Sequence, residues 1–103
     1  WSGLIFALRE ESAFRQEMFL VIISLSIILI TEVSTIEILL MIFTTSLVLI
    51  IELLNSSVEA AIDRISFDYH GLSKRAKDYG SAAVMLALIL WVLIHGLILF
   101  NDV

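Results

Sequence analysis

Four polar residues on one predicted helix offer the clearest chemistry in this sequence. They are Glu52, which lies within a strongly apolar segment, and Asn55, Glu59 and Asp63, which follow that segment. Their spacings are three, four and four residues. At about 100° per residue they fall within roughly 80° of one another, so they form one polar stripe along an α-helix. A charged side chain at membrane depth costs ~2.5–3.5 kcal/mol on insertion scales, and we therefore interpret the stripe as a functional site. The alternative is that Glu59 and Asp63 lie beyond the membrane and are simply solvated.

Carboxylates are the main chemical resource of the chain, because the glycine-rich phosphate loop, the G-x-S-x-G elbow and the H-E-x-x-H motif are all missing. Glu11, ahead of the first apolar segment, could approach Glu59 at the membrane interface and bind a hard cation. Mg²⁺ prefers a few carboxylate oxygens, with waters and phosphates completing its shell. Glu52 lies deeper and could accept a proton from a hydroxyl at headgroup level.

The two histidines have different prospects. His70 lies in a polar connection with Lys77 and Asp78, where donors and acceptors could hold a polar ligand, although a solvated loop explains them equally well. His95 lies deep in the last apolar segment. Such a histidine is more often packed or hydrogen-bonded than a ligand.

The composition indicates a membrane protein. The 103 residues are 60% hydrophobic, against ~45–50% in soluble domains. There is no proline to interrupt long helices, and no cysteine, which excludes disulfides, thiolate metal sites and cysteine nucleophiles. The net charge of -5 provides no basic surface for phosphates, so we expect no nucleic-acid partner.

Three apolar stretches, at residues 18–30, 36–54 and 82–100, predict an all-α integral membrane fold with three transmembrane helices. We expect an amphipathic interfacial helix over 1–12, although an ordinary cytoplasmic extension of the first span explains this segment equally well. A first span over about 13–33 and a second over about 35–62 with a cytoplasmic extension should follow. A cytoplasmic loop over 63–79 then leads to a third span over about 80–101. The short link at 31–35 predicts an antiparallel hairpin of the first two spans.

Basic residues predict the orientation. All six lie either before the first apolar stretch, which starts at residue 18, or between the second and third stretches. Positive charge is retained in the cytoplasm, so the N-terminus should be cytoplasmic and the C-terminus outside. Because the chain starts at Trp1, we expect a leading segment ahead of it, and no cleavable signal peptide is predicted.

Three motifs cover most of the polar positions. They are ESAFRQE at 11–17, ELLNSSVEAAIDR at 52–64 and YHGLSKRAKDYGSAAV at 69–84. Together they closely resemble the bacterial integral-membrane diacylglycerol kinase family, and the resemblance extends over essentially the whole chain. It implies a homotrimer of three-span subunits in the bacterial inner membrane. Composite active sites would then transfer phosphate from ATP to a lipid hydroxyl, with Mg²⁺.

The resemblance also implies a role for each matching residue. Glu52 corresponds to the general base, with Asn55 and Asp63 supporting the site. The metal ligands are Glu11 and Glu59. The nucleotide contacts are Glu11, Glu59, Asp68, Tyr69, His70, Lys77 and Asp78. The lipid-substrate site comprises Ala13, Phe14, Arg15, Gln16, Glu17, Glu52 and Ser81.

Two departures from the family pattern bear on the nucleotide site. A surface segment that supplies an arginine and a tyrosine normally lies ahead of the position of Trp1, and Asp68 stands where a glutamate is common. Three other readings compete with the assignment. They are an undecaprenol kinase of the same fold, a small proton-coupled exporter, for which four spans are expected, and a non-catalytic membrane protein.

Overall fold

A computed structural model describes residues 1–5, 12–65 and 71–101, with backbone alone for 12–14, 16 and 65. Three helices follow one another: α1 over Ser12–Ile30, α2 over Thr35–Ile65 and α3 over Gly71–Asn101. Residues 2–5 form a short helical turn. The described part of the chain contains no strand, which confirms the all-α fold class.

The connection between α1 and α2 spans residues 31–34 and is closed by a capping box. The Ser34 backbone N–H donates to Glu37 Oε1 at 2.8 Å, and the Glu37 N–H donates to Ser34 Oγ at 3.2 Å. This reciprocal pair satisfies backbone donors at the start of α2 that would otherwise have no partner. The chain therefore reverses sharply, and α1 and α2 form an antiparallel hairpin.

The predicted loop over 63–79 is largely wrong as secondary structure. Helix α2 continues to Ile65 and α3 begins at Gly71, so the described residues of this stretch are helical. No proline breaks either helix, and an i,i+4 salt bridge from Lys74 to Asp78, at 3.1 Å, supports the first turns of α3. Residues 66–70 lie outside the described residues.

Two of the helices are long and apolar enough to cross a membrane, over Thr35–Arg64 and Gly71–Asn101, and a shorter apolar helix covers Glu17–Ile30. A 31-residue helix is ~46 Å long, ~16 Å more than the hydrocarbon core of a bilayer. Large apolar side chains on all three helices are exposed, including Phe19, Phe43 and Phe100. Such extensive apolar exposure is that of a membrane protein.

Helix α2 occupies the central position and packs against both α1 and α3. The bundle is elongated, measuring 53 × 28 × 17 Å. Its buried apolar side chains form two clusters: Ile27, Met41 and Ile98 in one, and Val48, Ala87 and Trp91 in the other. The first cluster takes one residue from each helix, and the second joins α2 to α3.

Candidate functional site

The polar stripe of α2 changes from buried to exposed along its length. Glu52 is only 6% exposed, Asn55 and Glu59 are half-buried, and Asp63 is exposed. The spacing had predicted one polar face, and the side-chain contacts below connect its members to each other and to both neighbouring helices. The stripe therefore joins an apolar environment at Glu52 to a solvated one at Asp63.

The Glu52 carboxyl group has a second carboxyl group beside it. Glu17, in the second turn of α1, is half-buried and lies within hydrogen-bonding reach of Glu52. Its Oε2 atom is buried and has no hydrogen-bond partner among the described residues. Two carboxyl groups can share a hydrogen bond only if one of them carries a proton, because ionised carboxylates are acceptors alone. A hydrogen bond within this pair therefore requires one proton, carried by one of the two carboxyl groups.

The pairing of Glu17 with Glu52 was not predicted, since the resemblance had assigned both residues to the lipid site without joining them. The predicted hairpin contained the information needed to predict this pairing. A tight turn at 31–34 fixes which residues of α1 and α2 face each other, and counting outward from it brings position 17 near position 52.

Asn55 connects the middle of the stripe to Glu59. Its Nδ2 donates to Glu59 Oε1 at 3.2 Å, while its buried Oδ1 has no hydrogen-bond partner in the part of the chain that the structure describes. Gly80 of α3 lies directly against this oxygen, and a Cβ at position 80 would overlap it. Because glycine has no side chain, α3 approaches α2 closely at this point.

Helix α3 brings a cation to the exposed end of the stripe. Lys77 Nζ donates to Asp63 Oδ1 at 2.6 Å. This hydrogen bond raises the pKa of Lys77 above its ordinary value. The charges of Asp63 and Glu59 act in the same direction, and desolvation opposes them in part. Asp78 instead pairs with Lys74, and Ser81 is exposed. Of the predicted nucleotide contacts on α3, Lys77 is therefore the one that joins the stripe.

An apolar groove lies between the N-terminal turn and helices α1 and α2. It has a volume of about 450 Å³ and is lined by residues including Trp1, Leu4 and Ile5 from the N-terminal turn, with Met18 of α1 and Leu53 of α2. The last two are the sequence neighbours of Glu17 and Glu52. The groove therefore offers space for an apolar chain along the same segments of α1 and α2 that carry the two carboxyl groups.

Several predicted site residues lie outside the described residues or have no described side chain. Glu11 falls in the first gap, and Asp68, Tyr69 and His70 fall in the second. The backbone of α1 includes Ala13, Phe14 and Gln16, whose side chains are not described, and Arg15 is exposed on the same turn. The structure thus brings together Glu17, Glu52, Asn55, Glu59, Asp63 and Lys77.

Known proteins match the chain along nearly its full length. The family model for prokaryotic diacylglycerol kinase matches residues 1–99. The diacylglycerol kinase of Escherichia coli (strain K12) is 45% identical over 102 residues, covering 99% of this chain and 84% of the relative.

Two further relatives agree. The diacylglycerol kinase of Haemophilus influenzae is 47% identical over 98 residues, covering 95% of this chain and 83% of the relative. The diacylglycerol kinase of Pseudomonas aeruginosa is 47% identical over 87 residues, covering 84% of this chain and 71% of the relative. Sequence identity at this level, over most of each chain, establishes common descent. The chain therefore belongs to the prokaryotic diacylglycerol kinase family.

Proposed function

We propose that the α2 stripe, with Glu17 of α1 and Lys77 of α3, is the site at which this chain transfers the γ-phosphate of ATP to the hydroxyl of diacylglycerol. Family membership supplies the reaction. The observation that supports this location is the burial of Glu52 at one end of a stripe whose other end, at Asp63, is exposed. A lipid hydroxyl arrives from the membrane and ATP arrives from water, so a site for both must join the two environments.

In the proposed reaction Glu52 is the general base. It removes the proton of the lipid hydroxyl while the hydroxyl oxygen forms a bond to the γ-phosphorus. The bond between that phosphorus and the oxygen bridging to the β-phosphate breaks, so ADP leaves and phosphatidic acid forms. Glu52 must then begin as a carboxylate, and we assign the proton shared by the pair to Glu17. Glu52 finally releases its proton to water.

We assign Mg²⁺ to Glu11 and Glu59, as the family resemblance implies. Glu59 suits this role because Asn55 donates to one of its oxygens and thereby orients the carboxylate. Across 1–5, 12–65 and 71–101 no group of three or more metal-binding side chains lies together. A Mg²⁺ ion that arrives with ATP needs only one or two carboxylates besides phosphates and waters. When bound, it neutralises charge on the phosphate oxygens.

The remaining assignments follow the same resemblance. Phosphoryl transfer mainly requires positioning and charge neutralisation, which a small site with one lysine can provide. Lys77 is held at the stripe by Asp63 and is available to the phosphates at its exposed end. The proposed nucleotide contacts are Glu11, Glu59, Asp68, Tyr69, His70, Lys77 and Asp78. The proposed lipid contacts are Ala13, Phe14, Arg15, Gln16, Glu17, Glu52 and Ser81, and the apolar groove beside Met18 and Leu53 would take an acyl chain.

We further propose a homotrimer of three-span subunits with an N-terminal surface helix, in the inner membrane with the N-terminus cytoplasmic. The exposed apolar faces of the helices support burial against lipid and other subunits, and the positions of the basic residues support the orientation. Because the chain has no cysteine, Ser34→Cys, Ser73→Cys and Asp102→Cys can each be labelled alone. An impermeant thiol reagent on intact cells should label positions 34 and 102 and spare 73. The reverse pattern would refute the topology.

The function is tested by transfer of radiolabelled phosphate from ATP to diacylglycerol, ceramide and undecaprenol in separate micelle assays. We expect diacylglycerol to be the best acceptor. Preferential labelling of undecaprenol would assign the chain to the alternative lipid kinase. No labelled lipid at all, from a folded chain in the presence of Mg²⁺, would contradict both kinase assignments and leave the exporter and non-catalytic readings.

A further inference from the structure

A closed ring of hydrogen bonds joins the three helices in the apolar part of the bundle. Ser24 Oγ lies 2.6 Å from His95 Nε2 and 3.1 Å from Thr45 Oγ1. Trp91 Nε1 lies 2.8 Å from Thr45 Oγ1, and His95 Nδ1 lies 2.9 Å from the Trp91 carbonyl oxygen. The Trp91 and His95 rings are stacked with their centroids 3.9 Å apart. We name these four buried residues the intramembrane ring.

The direction of every hydrogen bond in the ring follows from its members. The Trp91 carbonyl can only accept, so His95 Nδ1–H donates to it and Nε2 of the neutral imidazole accepts. Ser24 must therefore donate its hydroxyl proton to Nε2. The indole N–H of Trp91 can only donate, so Thr45 Oγ1 accepts from it and donates its own proton to Ser24. Each side-chain hydroxyl both donates and accepts, so the loss of one member leaves a neighbour without a partner.

The ring and the carboxyl pair lie in the same helix register. Ser24 follows Glu17 by seven residues on α1, and Thr45 precedes Glu52 by seven residues on α2. Seven residues make almost two complete turns, about 10.5 Å along the axis, so each residue lies on the same face as its carboxylate. Because α1 and α2 are antiparallel, any slide of α1 that separated Ser24 from Thr45 would separate Glu17 from Glu52 by the same distance.

Apolar packing alone holds α1 weakly. In a membrane there is little hydrophobic gain from bringing apolar helices together, so close packing and interhelical hydrogen bonds must fix their relative position. The buried apolar cluster of Val48, Ala87 and Trp91 joins α2 to α3 without α1, and the outward apolar side chains of α1, such as Phe19 and Leu29, are exposed. Ser26 does not provide such an interhelical hydrogen bond, because its hydroxyl donates to the Ile22 carbonyl of its own helix at 2.8 Å.

We propose that the intramembrane ring fixes the axial register of α1 against α2 and thereby positions Glu17 beside Glu52 for phosphoryl transfer. Ser24, Thr45 and His95 are positioning residues in this scheme, which rests on the proposed function for its kinetic readout. The expectation that His95 is a hydrogen-bonded histidine is confirmed. Its role is to accept the hydrogen bond that fixes Ser24.

The adjacent threonine provides a matched control. Thr44 is also buried, but its hydroxyl donates to carbonyl oxygens of its own helix, Leu40 at 2.9 Å and Met41 at 3.3 Å. Thr45→Val and Thr44→Val therefore make the same change at the same depth, and only Thr45→Val opens the ring. Displacements of about 1 Å can cost a hundredfold in rate, so we expect kcat to fall about tenfold or more in Thr45→Val. The KM for ATP should stay within about twofold, and Thr45→Ser should restore most of kcat.

Three kinetic outcomes would overturn the proposal. One is a Thr45→Val variant as active as Thr44→Val. Another is a Thr45→Val variant in which the KM for ATP rises along with the loss of kcat, since general loosening of the fold would do this. The third is failure of Thr45→Ser to recover activity. The comparison can be repeated on α1 with Ser24→Ala and its control Ser26→Ala. We expect kcat to fall in Ser24→Ala and to be retained in Ser26→Ala.

A measurement without activity separates this proposal from the proposed function. Glu17→Cys and Glu52→Cys can be combined in the cysteine-free chain and treated with a short bifunctional thiol reagent. We expect efficient cross-linking within one chain, a yield at least about threefold lower when Thr45→Val is added, and no change when Thr44→Val is added. Equal yields in the two backgrounds, or no cross-link in the unaltered ring, would overturn the positioning role, whichever lipid the chain phosphorylates.

Discussion

Gly80 is where α3 comes closest to the stripe, and Gly80→Ala tests how the stripe is organised. The new Cβ would overlap Asn55 Oδ1 and contact Asn55 Cγ at 3.1 Å. Because the overlapped atom is the end of a side chain, we expect Asn55 to rotate away while the helices keep their positions. Asn55 Nδ2 then loses its 3.2 Å hydrogen bond to Glu59 Oε1.

The expected effect on stability is small, because two contributions offset each other. Alanine is better than glycine inside a helix by ~1 kcal/mol, and the lost hydrogen bond costs ~1.5 kcal/mol, because its acceptor is a carboxylate and the contact is long. The effect on catalysis is larger. A hydrogen bond to a charged group contributes ~1.5–3 kcal/mol, and the long 3.2 Å contact belongs at the lower end of that range. Since ~1.4 kcal/mol corresponds to a factor of ten, kcat/KM for ATP should fall about tenfold.

The assay compares unfolding in detergent and kcat/KM across a Mg²⁺ titration for Gly80→Ala, two further single variants and one double variant. Gly96→Ala is the control, because it lies on the same helix and a Cβ there meets no atom within 4 Å. It should be fully active and no less stable. Asn55→Ala should lose as much activity as Gly80→Ala. The double variant should lose no more, since both changes break the same hydrogen bond.

Two results would refute this reasoning. If Gly80→Ala were as active as Gly96→Ala, Asn55 would not be holding Glu59 for catalysis. If the losses of Gly80→Ala and Asn55→Ala multiplied in the double variant, the alanine would be acting through the separation of α2 and α3 and not through the Asn55 side chain.

Three further predictions concern the same site. Glu52→Gln should lower kcat by about 10²–10⁴-fold with ATP binding retained, because the amide cannot accept the hydroxyl proton; a large residual kcat would exclude the general-base role. Glu11→Ala and Glu59→Ala should each raise the Mg²⁺ concentration needed for half-maximal rate, and an unchanged requirement in both would identify them as solvated charges. Asp63→Asn should lower the pKa of Lys77 toward its ordinary value of 10.5, measured by NMR titration of the ammonium group. Because the folded-state pKa is raised, the stabilising effect of this pair is present at neutral pH and is lost only as the pH rises through that pKa.

Periodicity and hydropathy predicted which helices carry the site more successfully than they predicted the residues at which those helices begin and end. The three- and four-residue spacing from Glu52 to Asp63 correctly predicted that these residues share one face of a helix, because that face depends only on spacing within the helix. The predicted loop was wrong because polar residues such as Lys74 and Asp78 mark where a helix enters water, whereas only a breaker or a cap ends it. With no proline in the chain, α2 and α3 run on as helices well into the polar segment.

Pairings across helices were harder to predict. Glu17 and Glu52 are 35 residues apart in the sequence, and their contact depends on the register of the α1–α2 hairpin, which no single-helix pattern contains. The ring members Ser24 and Thr45 have ordinary residue types for membrane helices. Their role is visible only in the directions of their hydrogen bonds, since Ser26 and Thr44 have the same side chains and bond within their own helices.

The closed form of the intramembrane ring has an evolutionary consequence. A chain of hydrogen bonds in which every hydroxyl both donates and accepts cannot be replaced one residue at a time without leaving a buried polar group unpaired, which is costly in a low-dielectric environment. Substitution of Thr45 alone by a residue without a hydroxyl would leave the Trp91 indole N–H without its acceptor. Members of the family should therefore hold all four polar positions together or fill all four with apolar or self-satisfied side chains, so the ring should be inherited or lost as a unit.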